Sequence, residues 1–205
     1  MKTPSAVIFD VGNVLFPWNP RRLYGRLIED DRALDAFLAE VVTHAWHFQH
    51  DAGRPFAETS AELIAQFPQH ESLILAWGAR FNETIGDAIP GMREIVAELD
   101  AAGVPLFGIT NFSGEFWRAW VPQHQDIFGR FRDVVVSGDE KLTKPDPAIY
   151  RLALQRFGIE AAEAVFVDDN PANVEAANAL GIHGTLFTGA DSFRAELVRL
   201  GLLPG

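Results

Sequence analysis

Short, uninterrupted apolar runs alternate with helix-spaced apolar stripes over most of this chain. The runs are Ala6–Phe9, Val104–Ile109, Asp133–Val136, Ala164–Val167 and Gly184–Phe187, each bounded by turn-forming or polar residues. Continuous apolar runs of this length predict strands covered on both faces, as in a parallel sheet. Between them the helix patterns are clearly punctuated. Pro90 opens one, in which Ile95, Val96 and Leu99 keep helical spacing until Gly103. Asp146 caps a second, with Pro147 in its first turn and Gly158 just past its end, and Asn170-Pro171 opens a third that runs through Val174, Ala177 and Leu180 to Gly181. Strand and helix therefore alternate from about residue 90 onward, which predicts an α/β fold built on a parallel sheet.

Residues 17–89 break this rhythm. They read as helices over Pro20–Glu29, Arg32–His47, Phe56–Phe67 and Glu71–Ile85 with no convincing strand; Leu34, Phe37, Leu38, Val41 and Val42 illustrate the spacing. The expected organisation is a core formed by residues 1–16 and 90–205, with a helical insert over 17–89 directly after the first strand. An insert at that position reads as a cap over a site, because segments that follow strand ends often carry function. The alternative is a helical layer packed on the sheet.

Composition narrows the function classes. The 205 residues can bury a full core, and a net charge of −11 lacks the clustered Lys and Arg of a nucleic-acid footprint. The complete absence of cysteine excludes disulfides, thiolate zinc sites and a Cys nucleophile. The N-terminal Met1-Lys2-Thr3-Pro4-Ser5 runs into the first strand with no signal-type apolar region, and no stretch is long enough to span a membrane. The expectation is a cytoplasmic protein that engages neither nucleic acid nor membrane. Oligomeric state is not legible, so monomer and dimer both stay open.

The chemistry collects at the strand ends. The first run stops at Asp10, followed by Val11-Gly12-Asn13; the second delivers Thr110-Asn111; the third leads into a loop containing Lys144-Pro145; the fourth delivers Asp168-Asp169-Asn170. In a parallel sheet these all reach one edge, where open α/β sheets bind ligands. Asp10 alone could be a nucleophile, a metal ligand or a turn-capping residue. As a set, the residue types suit phosphoryl transfer. A carboxylate can attack phosphorus, a divalent cation on hard oxygen ligands can cancel the repulsion, and a hydroxyl with a lysine can hold the transferring group. The adjacent pair Asp168-Asp169 would repel unless a cation compensated it.

The set Phe9-Asp10, Ile109-Thr110-Asn111, Lys144-Pro145 and Val167-Asp168-Asp169-Asn170 resembles the four motifs of the haloacid dehalogenase (HAD) superfamily over nearly the whole chain. The resemblance implies a Rossmann-like core with a helical cap, and Asp10 as a nucleophile that forms an aspartyl-phosphate. It also implies catalytic roles for Thr110 and Lys144, and phosphoryl contacts from Thr110, Asn111 and Lys144. Mg²⁺ would be held by Asp10, Asp169 and the backbone carbonyl of Gly12, and Asp168 would support the metal or Lys144. The paired acids favour the Mg²⁺-dependent phosphatases over the metal-independent 2-haloacid dehalogenases.

One position departs from the pattern. Most phosphatases of this superfamily carry a second Asp two residues after the nucleophile, and here that residue is Gly12. The stretch Asp10-Val11-Gly12-Asn13-Val14, with Trp46-His47-Phe48-Gln49-His50 and Phe116-Trp117, is similar to the subgroup containing the α-D-glucose-1-phosphate phosphatases. The missing proton is expected from the cap, from the substrate or from a metal-bound water. In the cap, His47 and His50 are candidates for this and for substrate binding, a role that suits an imidazole near neutrality; both also fit ordinary helix residues. The expected activity is hydrolysis of a small phosphorylated metabolite, with a sugar phosphate favoured. The rivals are a 2-haloacid dehalogenase and a phosphate-binding regulatory protein with little turnover. Among the aromatic residues, Trp117 and Trp120 are read as core, with a sugar-stacking wall as the alternative.

Overall fold

Five parallel strands form the centre of the chain in the order β3-β2-β1-β4-β5. They are β1 (Ala6–Phe9), β2 (Leu106–Thr110), β3 (Asp133–Val136), β4 (Ala164–Asp168) and β5 (His183–Leu186) in a computed structural model that describes residues 4–205. Met1–Thr3, part of the segment read as lacking a signal, lie outside the described residues. Alternation along each strand separates two cores. Val7, Phe9, Val165 and Val167 face one, while Ala6, Ile8, Phe107, Ile109, Ala164 and Phe166 face the other.

Helices cover both faces, which is why the strands carry apolar residues on both sides. The chain is helical at α1 (Arg21–Tyr24), α2 (Asp31–Glu40), α3 (His44–Asp51), α4 (Phe56–Gln66), α5 (Glu71–Arg80) and α6 (Met92–Ala101). Further along come α7 (Gly114–Trp120), α8 (Gln125–Phe128), α9 (Ser137–Glu140), α10 (Pro147–Phe157), α11 (Pro171–Ala179) and α12 (Ala190–Arg199). Ile149, Tyr150 and Ala153 of α10 and Ala177 of α11 fill one core. Ile95, Val96 and Leu99 of α6 and Phe193 and Leu197 of α12 fill the other. The punctuation residues act as their types predict. Asp146 Oδ1 accepts from Ala148 N at 2.8 Å, Asn170 Oδ1 from Ala172 N at 3.0 Å, and Gly158 ends α10 at φ 67°. No helix among the described residues is long and apolar enough to cross a membrane.

The segment between β1 and α6 is helical, but its boundaries differ from the sequence pattern. The helix expected over Arg32–His47 is two helices, because Thr43 Oγ1 accepts from Trp46 N at 3.1 Å and caps a new start. The helix expected over Pro20–Glu29 stops at Tyr24 ahead of Gly25, and α5 tightens into a 3₁₀ turn over Phe81–Thr84. Two connectors join at the base of the insert, where Trp18 and Ile85 form an antiparallel bridge and Gly86 N donates to Pro17 O at 2.9 Å. The insert shares the apolar core of one sheet face through Trp77 and Phe81, and Phe81 stacks on Phe116 of α7 at 4.4 Å.

The end of α3 is fastened to the sheet edge. Ser137 Oγ donates to the Asp51 carbonyl at 2.6 Å and accepts from Phe112 N at 2.9 Å. Next to it, a Cβ on Gly138 would lie 2.7 Å from Gly114 N, 2.9 Å from Phe112 O and 3.1 Å from His50 O. All three are backbone atoms that cannot swing away. Gly138→Ala should therefore destabilise the protein by about 1–3 kcal/mol, the usual range for overpacking. A melting temperature equal to that of the wild type would show that these three segments separate easily.

Candidate active site

Strand order explains why distant residues meet. The chain leaves β1 for β2 and β3 on one side and returns to β4 and β5 on the other, so the crevice between β1 and β4 is the switch point. Phe9 pairs with Val167, which sets Asp10 beside Asp168. Lys144 reaches between them from the loop before α10: its Nζ lies 2.8 Å from Asp10 Oδ1 and 2.6 Å from Asp168 Oδ2.

Asp168 is fully exposed to protein partners and not at all to solvent. Its Oδ1 accepts from Asn170 N at 2.8 Å and Asn173 Nδ2 at 3.0 Å, and its Oδ2 accepts from Lys144 Nζ and Asn173 Nδ2. Such saturation fits a group that positions Lys144. Asp10 Oδ1 accepts from Val11 N at 2.7 Å as well as facing Lys144, while Oδ2 accepts from no donor among the described residues. Asn111 holds the lysine's backbone at both ends: its Nδ2 donates to Lys144 O at 3.0 Å and its Oδ1 accepts from Lys144 N at 2.8 Å. Thr110, expected beside it on the phosphoryl group, is buried at the end of β2 and does not line the cavity; Asn111 and Phe112 do.

Electrostatics leave this cluster short of positive charge. Burial pushes Asp10 up to about 7, against the pull of Lys144 and with Asp168 adding to the rise. Burial works to lower the Lys144 ammonium, but the charges of Asp10 and Asp168 overturn it and hold the group above its ordinary value. Asp169 is also raised, by burial and then by Asp168, with the Asn13 side chain opposing. Carboxylate oxygens of Asp10, Asp168 and Asp169 lie within 4.8 Å of one another. Three carboxylates facing one lysine, all offering hard oxygen ligands, fit a divalent metal ion.

Asn13 shapes the turn that follows the nucleophile position. It adopts the left-handed region at φ 57°, which Asn tolerates better than most residues, and its Oδ1 accepts from Trp18 N at 3.0 Å. Gly12 lines the cavity, and a Cβ built there would meet nothing within 4 Å. The place where a second acid would sit is therefore open.

A cavity of about 430 Å³ rises above this edge between the sheet and the helical insert. Trp18, Phe48, Phe81, Ile85, Phe112 and Trp120 form its apolar wall. Trp120 is thus both core, as expected, and cavity lining; Trp117 is core alone. From the insert, α3 presents His44, His47, Phe48 and Asp51, four residues on one helical face by their spacing.

The two predicted histidines part company on that helix. His47 lines the cavity, stacks on Trp18 at 4.8 Å and places Nε2 3.4 Å from Asp51 Oδ2. His50, its ring 6.0 Å from that of His47, sits deeper, with Nε2 2.6 Å from Thr59 Oγ1 and its ring against Trp46, and does not line the cavity. Burial lowers His47 to about 3 and His50 to about 4, helped by neighbouring His50 and His44 in the first case and Arg54 in the second. Both imidazoles are neutral at pH 7 and carry no imidazolium proton to give. Asp51 was not singled out from the sequence, although its i+4 spacing from His47 was a legible signal.

Fold and cavity define an α/β enzyme with a carboxylate–lysine centre at the switch point of its sheet. Residues 4–181 match the haloacid dehalogenase-like hydrolase family, and the chain belongs to it. It is 29% identical to the sesquiterpene phosphatase astK of Aspergillus oryzae over 97% of each chain. It is also 34% identical to the phosphoglycolate phosphatase of Pseudomonas savastanoi pv. phaseolicola, over 45% of this chain and 34% of that one. In fold it is similar to the HAD family enzyme bt-2542 of Bacteroides thetaiotaomicron, solved as a magnesium complex. The TM-score is 0.72 at 19% identity, covering 97% of this chain and all of that one.

Proposed function

We propose that this hydrolase is a cytoplasmic, Mg²⁺-dependent phosphatase that cleaves a small phosphomonoester through an aspartyl-phosphate on Asp10. The observation that carries this reading is the Lys144 ammonium between Asp10 and Asp168, with Asp169 completing a carboxylate cluster. Asp10, Asp169 and the Gly12 carbonyl would hold Mg²⁺. When bound, the ion supplies the positive charge that lets a carboxylate approach a phosphate. Lys144 holds a phosphoryl oxygen, Asn111 fixes Lys144 from its backbone, and Asp168 fixes the ammonium.

A sugar phosphate suits the cavity through aromatic stacking on Trp18 or Phe48 and polar contacts to His44 and His47. A second reading of the substrate has a specific observation behind it. The wall of Trp18, Phe48, Phe81, Ile85, Phe112 and Trp120 also fits a hydrocarbon group, and a relative matched over 97% of its length is named a sesquiterpene phosphatase.

A release assay over sugar phosphates, nucleotides and prenyl phosphates, with Mg²⁺ and with EDTA, tests both. The expected result is phosphate release that EDTA reduces to background and Mg²⁺ restores. Turnover unaffected by EDTA would contradict the metal assignment. Chloride release from 2-chloropropionate without metal would favour a dehalogenase, and calorimetric binding of phosphate without turnover would favour a binding protein.

A further inference from the structure

The phosphatase reading leaves one task without a residue: protonating the leaving oxygen and then activating water. The titratable groups lining the cavity, among the described residues, are Asp10, Asp169, Lys144, His44, His47 and Asp51. Asp10 attacks, Asp169 belongs to the carboxylate cluster, and Lys144 is ion-paired. His47 is neutral and stacked on Trp18. His44 is exposed in the first turn of α3, two turns from Asp51 and about 10 Å along the helix axis.

Asp51 stands apart. It is 5% exposed at the inner end of α3, where Ser137 pins its carbonyl to the sheet edge, and its side chain lines the cavity. Its Oδ1 has no hydrogen-bond partner among the described residues, while the neutral His47 Nε2 lies 3.4 Å from Oδ2 and the Ser113 amide faces the carboxyl group. Among the described residues no lysine or arginine is paired with it.

We propose that Asp51, delivered by the helical insert, is the acid–base residue that takes the place left open at Gly12. In the first step an Asp10 oxygen bonds to phosphorus and the bond to the leaving oxygen breaks. That oxygen takes the Asp51 proton, leaving Asp51 as a carboxylate. In the second step Asp51 removes a proton from water as the water oxygen bonds to phosphorus. The Asp10–phosphorus bond breaks, Asp10 returns as a carboxylate, phosphate is released and Asp51 is protonated again.

The electrostatics agree with the geometry. Burial pushes the Asp51 carboxyl up to about 8; the charge of Asp10 adds to the rise, while the nearby Ser113 amide and Lys144 oppose it. With neutral His47 facing it on its own helix, Asp51 starts the reaction protonated at pH 7.

This role rests on the phosphatase reading, and one pair of substrates separates the two. In Asp51→Asn, kcat/KM for phenyl phosphate should fall by about 10²-fold or more. p-Nitrophenyl phosphate, whose leaving group needs no proton, should lose much less, with a burst of p-nitrophenolate because hydrolysis of the aspartyl-phosphate has lost its base. In the wild type, kcat/KM for phenyl phosphate should decline above about pH 8, a limb the variant lacks. The ratio of the two substrates, read on one sample, does not depend on how much of the variant is folded. An unchanged ratio with no burst overturns the role of Asp51 alone. A wild type that hydrolyses neither ester in Mg²⁺ overturns the phosphatase reading, and this role with it.

Discussion

Asp10→Asn should reduce phosphatase turnover by about 10⁴-fold or more without lowering the melting temperature at neutral pH. The loss of activity follows because an amide oxygen is too weak a nucleophile to displace the leaving group, and the carboxylate beside it, Asp168, cannot replace it. Asp168 is saturated by Lys144, Asn173 and the Asn170 amide. The stability expectation comes from the direction of the Asp10 shift. Burial raises the folded carboxyl from 3.8 to about 7, so the folded state binds the proton more tightly than the unfolded chain. The stability linked to that proton is full below about pH 4 and is lost as pH rises toward about 7. Asparagine keeps the shape and carries no charge to desolvate, while Lys144 keeps Asp168 as its partner. Thermal melts at pH 5 and pH 8 check this half. The wild type should lose stability across that interval more steeply than the variant, and equal slopes would contradict the account.

Much of this centre was legible because the sheet is buried on both faces. A parallel sheet requires continuous apolar runs, and all five observed strands lie within two residues of the runs seen in the sequence. Caps at Asp146 and Asn170 were equally readable, since each is a local side chain serving a local amide. In the insert, apolar spacing carried on through Val41 and Val42 and hid the new helix start at Thr43. Helical spacing could not separate His47 from His50: three residues apart, with ring centroids at 6.0 Å, they are neighbours on α3, yet His47 stacks on Trp18 at the cavity while His50 turns its Nε2 to Thr59. Asp51 escaped for another reason. Just before Ala52-Gly53 it reads as a helix-end turn residue, and the groups that set its character, Asp10, Ser113 and Lys144, are distant in sequence. Periodicity reports which side of a helix is apolar but not which strand end that side will face.

Lys144→Met should cost both activity and stability, and the stability loss should depend on pH. Lys144 is 2% exposed, and its ammonium is the only lysine or arginine cation paired with Asp10 or Asp168 among the described residues. Methionine is nearly the same length, so the variant removes the charge with little change in packed volume. Stripping one member from a buried ion pair typically costs about 3–5 kcal/mol, because the remaining charge stays desolvated. For a chain of this size that corresponds to a fall of roughly 6–20 °C in melting temperature. Some of the loss is offset because burial also disfavours the lysine itself. The deficit should narrow as pH falls toward 5, since a protonated carboxyl needs no cation. A variant that lost stability equally at pH 5 and pH 8 would point to packing instead of charge. Activity should fall in either case, because the same ammonium that holds two carboxylates together is the group placed to hold a phosphoryl oxygen between them. Its structural and chemical tasks therefore cannot be separated by mutation at this position; varying Asn111, whose side chain hydrogen-bonds the Lys144 backbone, changes the lysine's placement while leaving its charge in the site.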